Sequence, residues 1–409
     1  MTIFEPRAMG LGLSACLLLA PSAQAESLTR QQFLSQALRA HPASAQARAR
    51  QTATESAAAE DGRWMNPMLE LDLAPLSLGT EPGYMARFKQ PLTYGPGVRS
   101  ARQGRQLAVS TGQAQLQADS RTLQYELNAL WFETLRSHEA EHIASDHLIL
   151  VQKLTTAVAG ALATGRARPD ALYMAQSQQW QAERNYREAR AEREALDSEI
   201  ALLLTYPARG ILLSDVDTTN PTIPFNSAES LAQALVSGSP ELQAMRTRVA
   251  QSRQIAAARS WSGVPAMALM AGYDSMQPMA EHRIQVGLEL ELPVANGEKR
   301  AQGAMANAET AMQEAELQQA ELRVRVEALQ MWSELTTTLT TLHTLRTQQI
   351  PLADRRIQSM SAMIATGDVD LAALIPALRE RLEWQLDTAN MLAMARKIQQ
   401  QILIMTATE

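Results

Sequence analysis

His138-Glu139-Ala140-Glu141-His142 sets two imidazoles four residues apart with carboxylates between them. On a helix the two histidines share a face, the H-E-x-x-H spacing with which metalloproteases hold zinc and activate water. Asp146, one turn further along that face, offers a third oxygen ligand. The surrounding stretch is a charged, proline-free rod with no cleft for a substrate, so we read the pentapeptide as a solvated helix face. Met276, Met279 and His282 form a second cluster, of thioethers and an imidazole, a set that suits Cu(I). Methionine is frequent throughout, with 19 copies, and these three read as an exposed turn. Charged residues also gather at two glycines: Arg166, Arg168 and Asp170 follow Gly165, and Asp368 and Asp370 follow Gly367. There is no Gly-rich phosphate loop, cysteine pair or nucleophile elbow. The chain reads as a non-enzyme with no cofactor.

The composition narrows the class. The 409 residues carry a net charge of −6 and 4% aromatics. An acidic chain has no basic surplus to displace counterions from phosphates, which argues against nucleic acid as a partner. Abundant Ala, Gln, Glu and Leu point to long helices packed through small side chains. Residues 1–25 read as an export signal: Arg7 in the n-region, an apolar stretch from Met9 to Ala20, and Ala23-Gln24-Ala25 as the cleavage site. Leu13-Ser14-Ala15-Cys16 also resembles a lipobox, although Leu17 to Ala20 continues the apolar run beyond Cys16, the only cysteine. We favour cleavage after Ala25, which leaves a mature chain without disulfides. No later segment has 18 consecutive apolar residues, so a membrane span would have to be built of strands.

The chain repeats itself. Leu34-Ser35-Gln36-Ala37-Leu38 with Pro42 recurs as Leu231-Ala232-Gln233-Ala234-Leu235 with Pro240. Ala163-Thr164-Gly165 recurs as Ala365-Thr366-Gly367. All six tryptophans pair, Trp64 with Trp261, Trp131 with Trp332 and Trp180 with Trp384, at offsets of 197, 201 and 204. We expect residues 26–220 and 221–409 to be two structural repeats, joined by a connector from Pro207 to Pro224. Each repeat should contain a helical stretch (about 28–63 and 228–261) broken at Pro42 or Pro240. Two strands, a very long helix, a glycine turn and a medium helix (about 170–205 and 370–404) then follow.

The strand candidates alternate with period two. Ile284, Val286, Leu288, Leu290 and Leu292 alternate with Arg283, Gln285, Gly287, Glu289 and Glu291. Leu69, Leu71 and Leu73 alternate with Glu70 and Asp72, and Tyr84, Ala86 and Phe88 oppose Arg87 and Lys89. Met267, Leu269, Ala271 and Tyr273 share one face. Runs of about 9–11 residues suffice for tilted strands to cross a hydrocarbon core. A half-buried sheet in a soluble domain would alternate in the same way, but nothing else in the sequence would cover those apolar faces. Four strands cannot close a barrel, and an open sheet in lipid would leave backbone groups unsatisfied at several kcal/mol each. Copies must therefore complete the ring, which makes Glu70, Asp72, Arg87, Lys89, Glu289 and Glu291 lumen candidates with both signs of charge. From about Arg99 to Ala163 and from Arg300 to Ala365, interrupted only by Pro351, some 65 residues would make rods of roughly 100 Å.

At this point the chain resembles the TolC-like outer-membrane efflux family over nearly its whole mature length. The resemblance is carried by the Ser27-to-Pro42 opening, Asn66-Pro67 before the first strand, and Gln90-Pro91 with a Gly turn and Arg99. Leu292-Pro293 before Asn296-Gly297-Glu298-Lys299-Arg300, and the Gly165 and Gly367 turns, complete it. The opening and short strand loops look most like the heavy-metal branch (cobalt–zinc–cadmium and copper–silver). The resemblance implies a mainly α fold with a small β part: a homotrimer in which a long-helix α-barrel continues into a shared transmembrane β-barrel with four strands per protomer. It implies an outer-membrane, passive export duct from periplasm to outside, probing outer-membrane lipid with its barrel and docked by a periplasmic adaptor protein and an inner-membrane efflux pump. Docking would fall at Gly165, Arg166, Arg168 and Gly367. An aperture gate would draw on Asp368, Asp370 and Asp170, although Ala373 and Pro376 stand where the family often places further acidic residues, and Asp368 and Asp370 serve equally as helix N-caps. Other readings of the sequence are a periplasmic coiled-coil adaptor or scaffold, and a duct for drugs or secreted proteins.

Overall fold

The computed structural model describes residues 27–60, 66–73, 84–92, 94–204, 212–213, 221–260, 266–275, 283–291, 297–366 and 371–406. The expected leader with Cys16, the Met276/Met279/His282 turn, Trp64, Trp261 and Leu292-Pro293 lie outside the described residues.

The same order of elements occurs twice. A two-residue strand β1 (Ser27–Leu28) precedes α1 (Arg30–Ala40), α2 (Pro42–Glu60), β2 (Met68–Leu73), β3 (Tyr84–Leu92), α3 (Pro96–Ala163) and α4 (Pro169–Leu204). After β4 (Leu212–Leu213) come α5 (Ala228–Gly238), α6 (Pro240–Ser260), β5 (Ala266–Asp274), β6 (Arg283–Glu291), α7 (Gly297–Thr344), α8 (Ile350–Thr366) and α9 (Leu371–Thr406). A π-turn, Leu345–Gln349, joins α7 to α8 without breaking the rod. At 1.5 Å per residue the 68 residues of α3 span roughly 100 Å.

Local chemistry explains the boundaries. Thr29 and Gln32 form a reciprocal capping box at the start of α1, and Ser227 and Ser230 do the same for α5. Pro42 and Pro240 sit at the first position of α2 and α6, where a missing N–H costs nothing. The residue before each proline, His41 or Ser239, is held extended, as the proline ring demands. These two prolines therefore split each helical stretch where the sequence placed the break. Strand β2 has six residues, shorter than expected.

The four long strands form one antiparallel sheet in the order β2-β3-β5-β6. Its central seam joins the two halves of the chain, with Phe88 opposite Ala271 and Ala86 opposite Tyr273. Directly beneath the sheet the helices follow the same order. Thr54 of α2 lies against Gly112 of α3, Thr111 of α3 bonds Thr247 of α6 at 3.1 Å, and Ser252 of α6 meets Thr310 of α7 at 2.8 Å. The molecule is thus a single-layer wall that passes from strands into helices, with α2 under one open sheet edge and α7 under the other. Lower down, α4 packs on α3, α3 on α9 and α9 on α8.

Among the described residues four clusters hold the wall, the smallest joining Ile143 of α3 to Leu382 and Ala389 of α9. Phe33 of α1, Trp131 and Leu127 of α3, and Ile200 of α4 form one, with Phe33 stacked on Trp131 at 5.6 Å. Leu231 and Leu235 of α5, Met331 and Leu335 of α7, and Ile402 of α9 form the counterpart. Leu154 of α3, Ala175 of α4, Ile357 of α8 and Leu374 of α9 form the third, toward the helix turns. Apolar area removed from water at about 25 cal/mol per Å² drives each of them.

Candidate functional site

The sheet separates the lumen candidates from the apolar residues. Register places Glu70 opposite Arg87, Lys89 opposite Met270, and Ala268 and Ala266 opposite Glu289 and Glu291. Because successive residues point to opposite faces, all six candidates occupy one face, together with Asp274 and Arg283, which oppose each other. Arg87 reaches Glu70 at 3.5 Å and Lys89 reaches Glu289 at 2.6 Å, the second pair bridging over β5. No cation pairs with Asp72 among the described residues. The other face carries Leu69, Leu71, Phe88, Leu269 and, on β6, Ile284, Val286, Leu288 and Leu290. Ile284 is 81% and Val286 75% exposed, so the apolar side of the sheet has no cover among the described residues. Tyr84 and Tyr273 stack on that side at 5.8 Å. Among the described residues, no strand pairs with the outer edge of β2 or of β6, and no helix is long and apolar enough to cross a membrane.

The other end of the wall is the α3–α4 turn. Gly165 has φ +72, the left-handed conformation that glycine adopts without a Cβ penalty. The N–H of Gly165 donates to the Leu162 carbonyl at 3.0 Å and that of Arg166 to the Ala161 carbonyl at 2.8 Å. This pair of bonds is a Schellman motif that caps α3. Arg168 pairs with Asp170 at 3.4 Å, both well exposed, and Asp170 also sits in the first turn of α4, where a negative charge complements the helix dipole. The Arg168–Asp170 pair closes within a single turn, because the bend brings the two side chains together locally. Arg166 and Thr164 edge an apolar cleft of about 490 Å³ between α3, α8 and α9, floored by Leu154, Ile357, Leu374 and Leu378. Gly367, Asp368 and Asp370 lie outside the described residues.

The H-E-x-x-H pentapeptide does not converge on a metal. His138 turns toward α4, its Nε2 2.8 Å from Asp197, while His142 lies 3.5 Å from Asp146 with its side chain 72% exposed. Among the described residues no group of three or more His, Cys, Asp or Glu is placed to hold an ion. The helix face is less solvated than expected: Glu141 bonds Arg193, which also bonds Asp197 at 2.7 Å, so both turns of α3 are clamped to α4.

A second polar network was missed at the sequence level. Arg136 bonds Glu133 at 2.6 Å and Glu192 of α4, and Lys397 of α9 bonds Glu133. Burial raises the Glu133 carboxyl, but its bonds to Lys397 and Arg136 outweigh that and hold it below its ordinary value. Burial likewise works against the Arg136 charge, and its carboxylate partners outweigh it. No spacing rule signals this network, since Lys397 and Glu133 are 264 residues apart. Further along α3, His147 is 6% exposed, and burial, assisted by the Arg381 charge, lowers its pKa to about 4. Arg381 itself bonds Asp354 of α8 at 2.5 Å.

No protein-family model matches the chain, and no curated protein matches it. Solved structures do. The outer-membrane channel OprN superposes with a TM-score of 0.80 at 17% identity, over 92% of this chain and 89% of that one. CusC, solved in a study of folding and transmembrane channel formation, gives 0.72 at 14% identity, over 93% and 92%. The outer-membrane protein VceC from Vibrio cholerae gives 0.70 at 14% identity, over 92% and 95%. These similarities establish the fold: a long-helix wall continued by a small four-stranded sheet.

Proposed function

We propose that the chain is one protomer of a trimeric outer-membrane efflux duct of the TolC-like type, exported by its N-terminal leader and built as two repeats. The observation that carries this reading is the sheet, with a charged inner face, a bare apolar outer face and two open edges. In lipid the apolar face is solvated by acyl chains, whereas each unmet backbone group at an edge costs several kcal/mol. Three copies joined edge to edge make a twelve-stranded barrel with no edges, continuous below with a helical tunnel. OprN and VceC, outer-membrane proteins of this fold, and CusC, which forms a transmembrane channel, support the reading.

Transport through such a conduit is passive. Solute enters at the Gly165 and Gly367 turns, passes between the helices and leaves along the Glu70, Asp72, Arg87, Lys89, Glu289 and Glu291 face. Energy comes from an inner-membrane pump, coupled by a periplasmic adaptor that docks at Gly165, Arg166, Arg168 and Gly367, with the Arg166 cleft beside it. Asp170, Asp368 and Asp370 are the aperture candidates. The likeness of the opening and strand loops to the heavy-metal branch favours metal ions as cargo. Two measurements test this. The purified protein in detergent should have the mass of a trimer and conduct in a planar bilayer, and a deletion strain should lose growth on a metal panel before an antibiotic panel. A water-soluble, helix-rich monomer would overturn the duct; antibiotic sensitivity alone would overturn the cargo.

A further inference from the structure

We propose that the exposed face of α7 bearing Met305 and Met312 is a self-recognition seam that takes α2 of a second copy, with Met305 set against Ala57. This rests on the ring reading above and specifies which helices meet, and in what register.

The face is patterned for a helix and has none. Met305, Ala308, Met312, Ala315, Leu322 and Val326 follow one another at steps of three and four, with Gln319 filling the one gap. That is the a/d spacing of a coiled-coil seam. Met305, Met312, Leu322 and Val326 are 69%, 55%, 61% and 53% exposed, whereas Ala306, Thr310 and Ala328, about half a turn away, are buried on the α6 and α5 side. In a single-layer wall each helix needs neighbours on two opposite sides; α7 packs on α6, α5 and α9, and among the described residues nothing covers its opposite, Met305-bearing face.

Two observations choose the occupant. The first is continuity: α7 hangs from β6 and α2 from β2, the two open edges, so closing the sheet between copies brings α2 of one beside α7 of the next. Within one copy α3 and α6 stand between them. The second is the repeat. At the Trp131/Trp332 offset of 201, Gly104 and Thr111 of α3 correspond to Met305 and Met312; at the Trp64/Trp261 offset of 197, Gln254, Ile255 and Thr247 of α6 correspond to Ala57, Ala58 and Arg50. In the structure α3 meets α6 through those very residues. A Cβ at Gly104 would lie 3.6 Å from Gln254 Cβ and 3.6 Å from Ile255 Cγ1, and Thr111 bonds Thr247. Side-chain volume is exchanged between the two contacts: glycine against Gln254 and Ile255 inside the protomer, methionine against Ala57 and Ala58 at the seam. Interiors packed to crystal density favour such compensation.

The test is disulfide trapping in the full-length exported protein. Ala57→Cys/Met305→Cys should oxidise to a covalent ladder ending at three copies, because the expected Cβ separation falls inside the disulfide range of about 3.5–4.5 Å. Arg50→Cys/Met312→Cys is an independent second pair in case the first disturbs assembly. Ala49→Cys/Met305→Cys, displaced by roughly 12 Å along α2, should link at least tenfold more slowly. A protein of trimer mass that gives no ladder with either matched pair, or an equal ladder with the displaced pair, overturns the seam and leaves the ring standing. A monomer mass overturns both.

Discussion

Replacing Val286 by lysine, and separately Gln285 by lysine, puts the same charge on adjacent residues of β6 and asks which side of the sheet meets lipid. Strand β6 has nine residues; at about 3.3 Å per residue and a tilt near 40° it rises roughly 23 Å, close to the apolar band of a membrane barrel. Val286 is one residue from the strand's centre, so its side chain lies about 3 Å from the midplane on the apolar face. A lysine on the lipid side at that depth costs about 2–4 kcal/mol per copy, repeated at every protomer of a ring. Gln285 opposes Gly272 on the charged face, where water solvates an added ammonium, and the expected cost is near zero. Urea unfolding of protein reconstituted in vesicles, read as the shift of the midpoint between the two variants, measures the difference. Equal destabilisation by the two lysines, or a larger loss from Gln285→Lys, would refute the assignment of faces and with it the lumen.

Gly165→Val should lose about 1–2 kcal/mol, the cost of a left-handed residue with a Cβ, while Gly165→Asn stays nearly neutral; no atom lies within 4 Å of the added Cβ, so thermal unfolding of the two reads backbone strain alone. His147 has a folded pKa of about 4 against an ordinary 6.5, so the unfolded chain takes up a proton that the folded chain refuses. The stability it gives is present above pH 6.5 and lost as pH falls to about 4, ~3 kcal/mol in all; denaturation of His147→Leu should show a correspondingly flatter acid limb than the parent, and equal slopes would discard the effect. Lys89→Gln leaves Glu289 without its 2.6 Å partner and should shift the bilayer reversal potential toward cations, with Glu289→Gln shifting it oppositely. Both shifts should fade toward 1 M salt, where the Debye length is about 3 Å.

The parts of the fold that follow from short-range patterning were legible. Alternation along Arg283 to Glu291 placed Glu289 and Glu291 on one face before any register was known, and the prolines at 42 and 240 marked the helix breaks. Gly165 was legible as a turn because few other residues tolerate its φ. Pairings between distant segments were not. Nothing local specifies that β3 pairs with β5 and thereby stitches the two halves, or that Lys397 returns to Glu133. The H-E-x-x-H face shows the same limit: helical spacing put His138 and His142 on one side of α3, but only the position of α4 decides that His138 meets Asp197 while His142 stays in water. The repeat is the exception, since paired tryptophans carry long-range information in one dimension. Even so, partners do not share environments: Trp131 is 1% exposed while Trp332 is half-buried, and Trp180 is 69% exposed while Trp384 is half-buried.

Pro351 shows how a sequence irregularity is absorbed. Counting from Leu335, Leu342 and Leu345, all buried, helical period would next bury Leu352. Leu352 is instead 62% exposed and Ala353 is 3% exposed, followed by Ile357 at 8%. The inward stripe has moved by one residue. The π-turn accounts for the move: the Ile350 N–H bonds the Leu345 carbonyl, five residues back instead of four, so one extra residue is looped into the rod. The same residue shows in the repeat, where the offset is 201 at Trp131/Trp332 and 202 at Gly165/Gly367. Proline follows directly after the turn, where the four-residue ladder is already interrupted and a missing N–H does least harm. The insertion therefore leaves the two long rods matched in packing though unequal in count, which a wall of fixed length from sheet to turn requires.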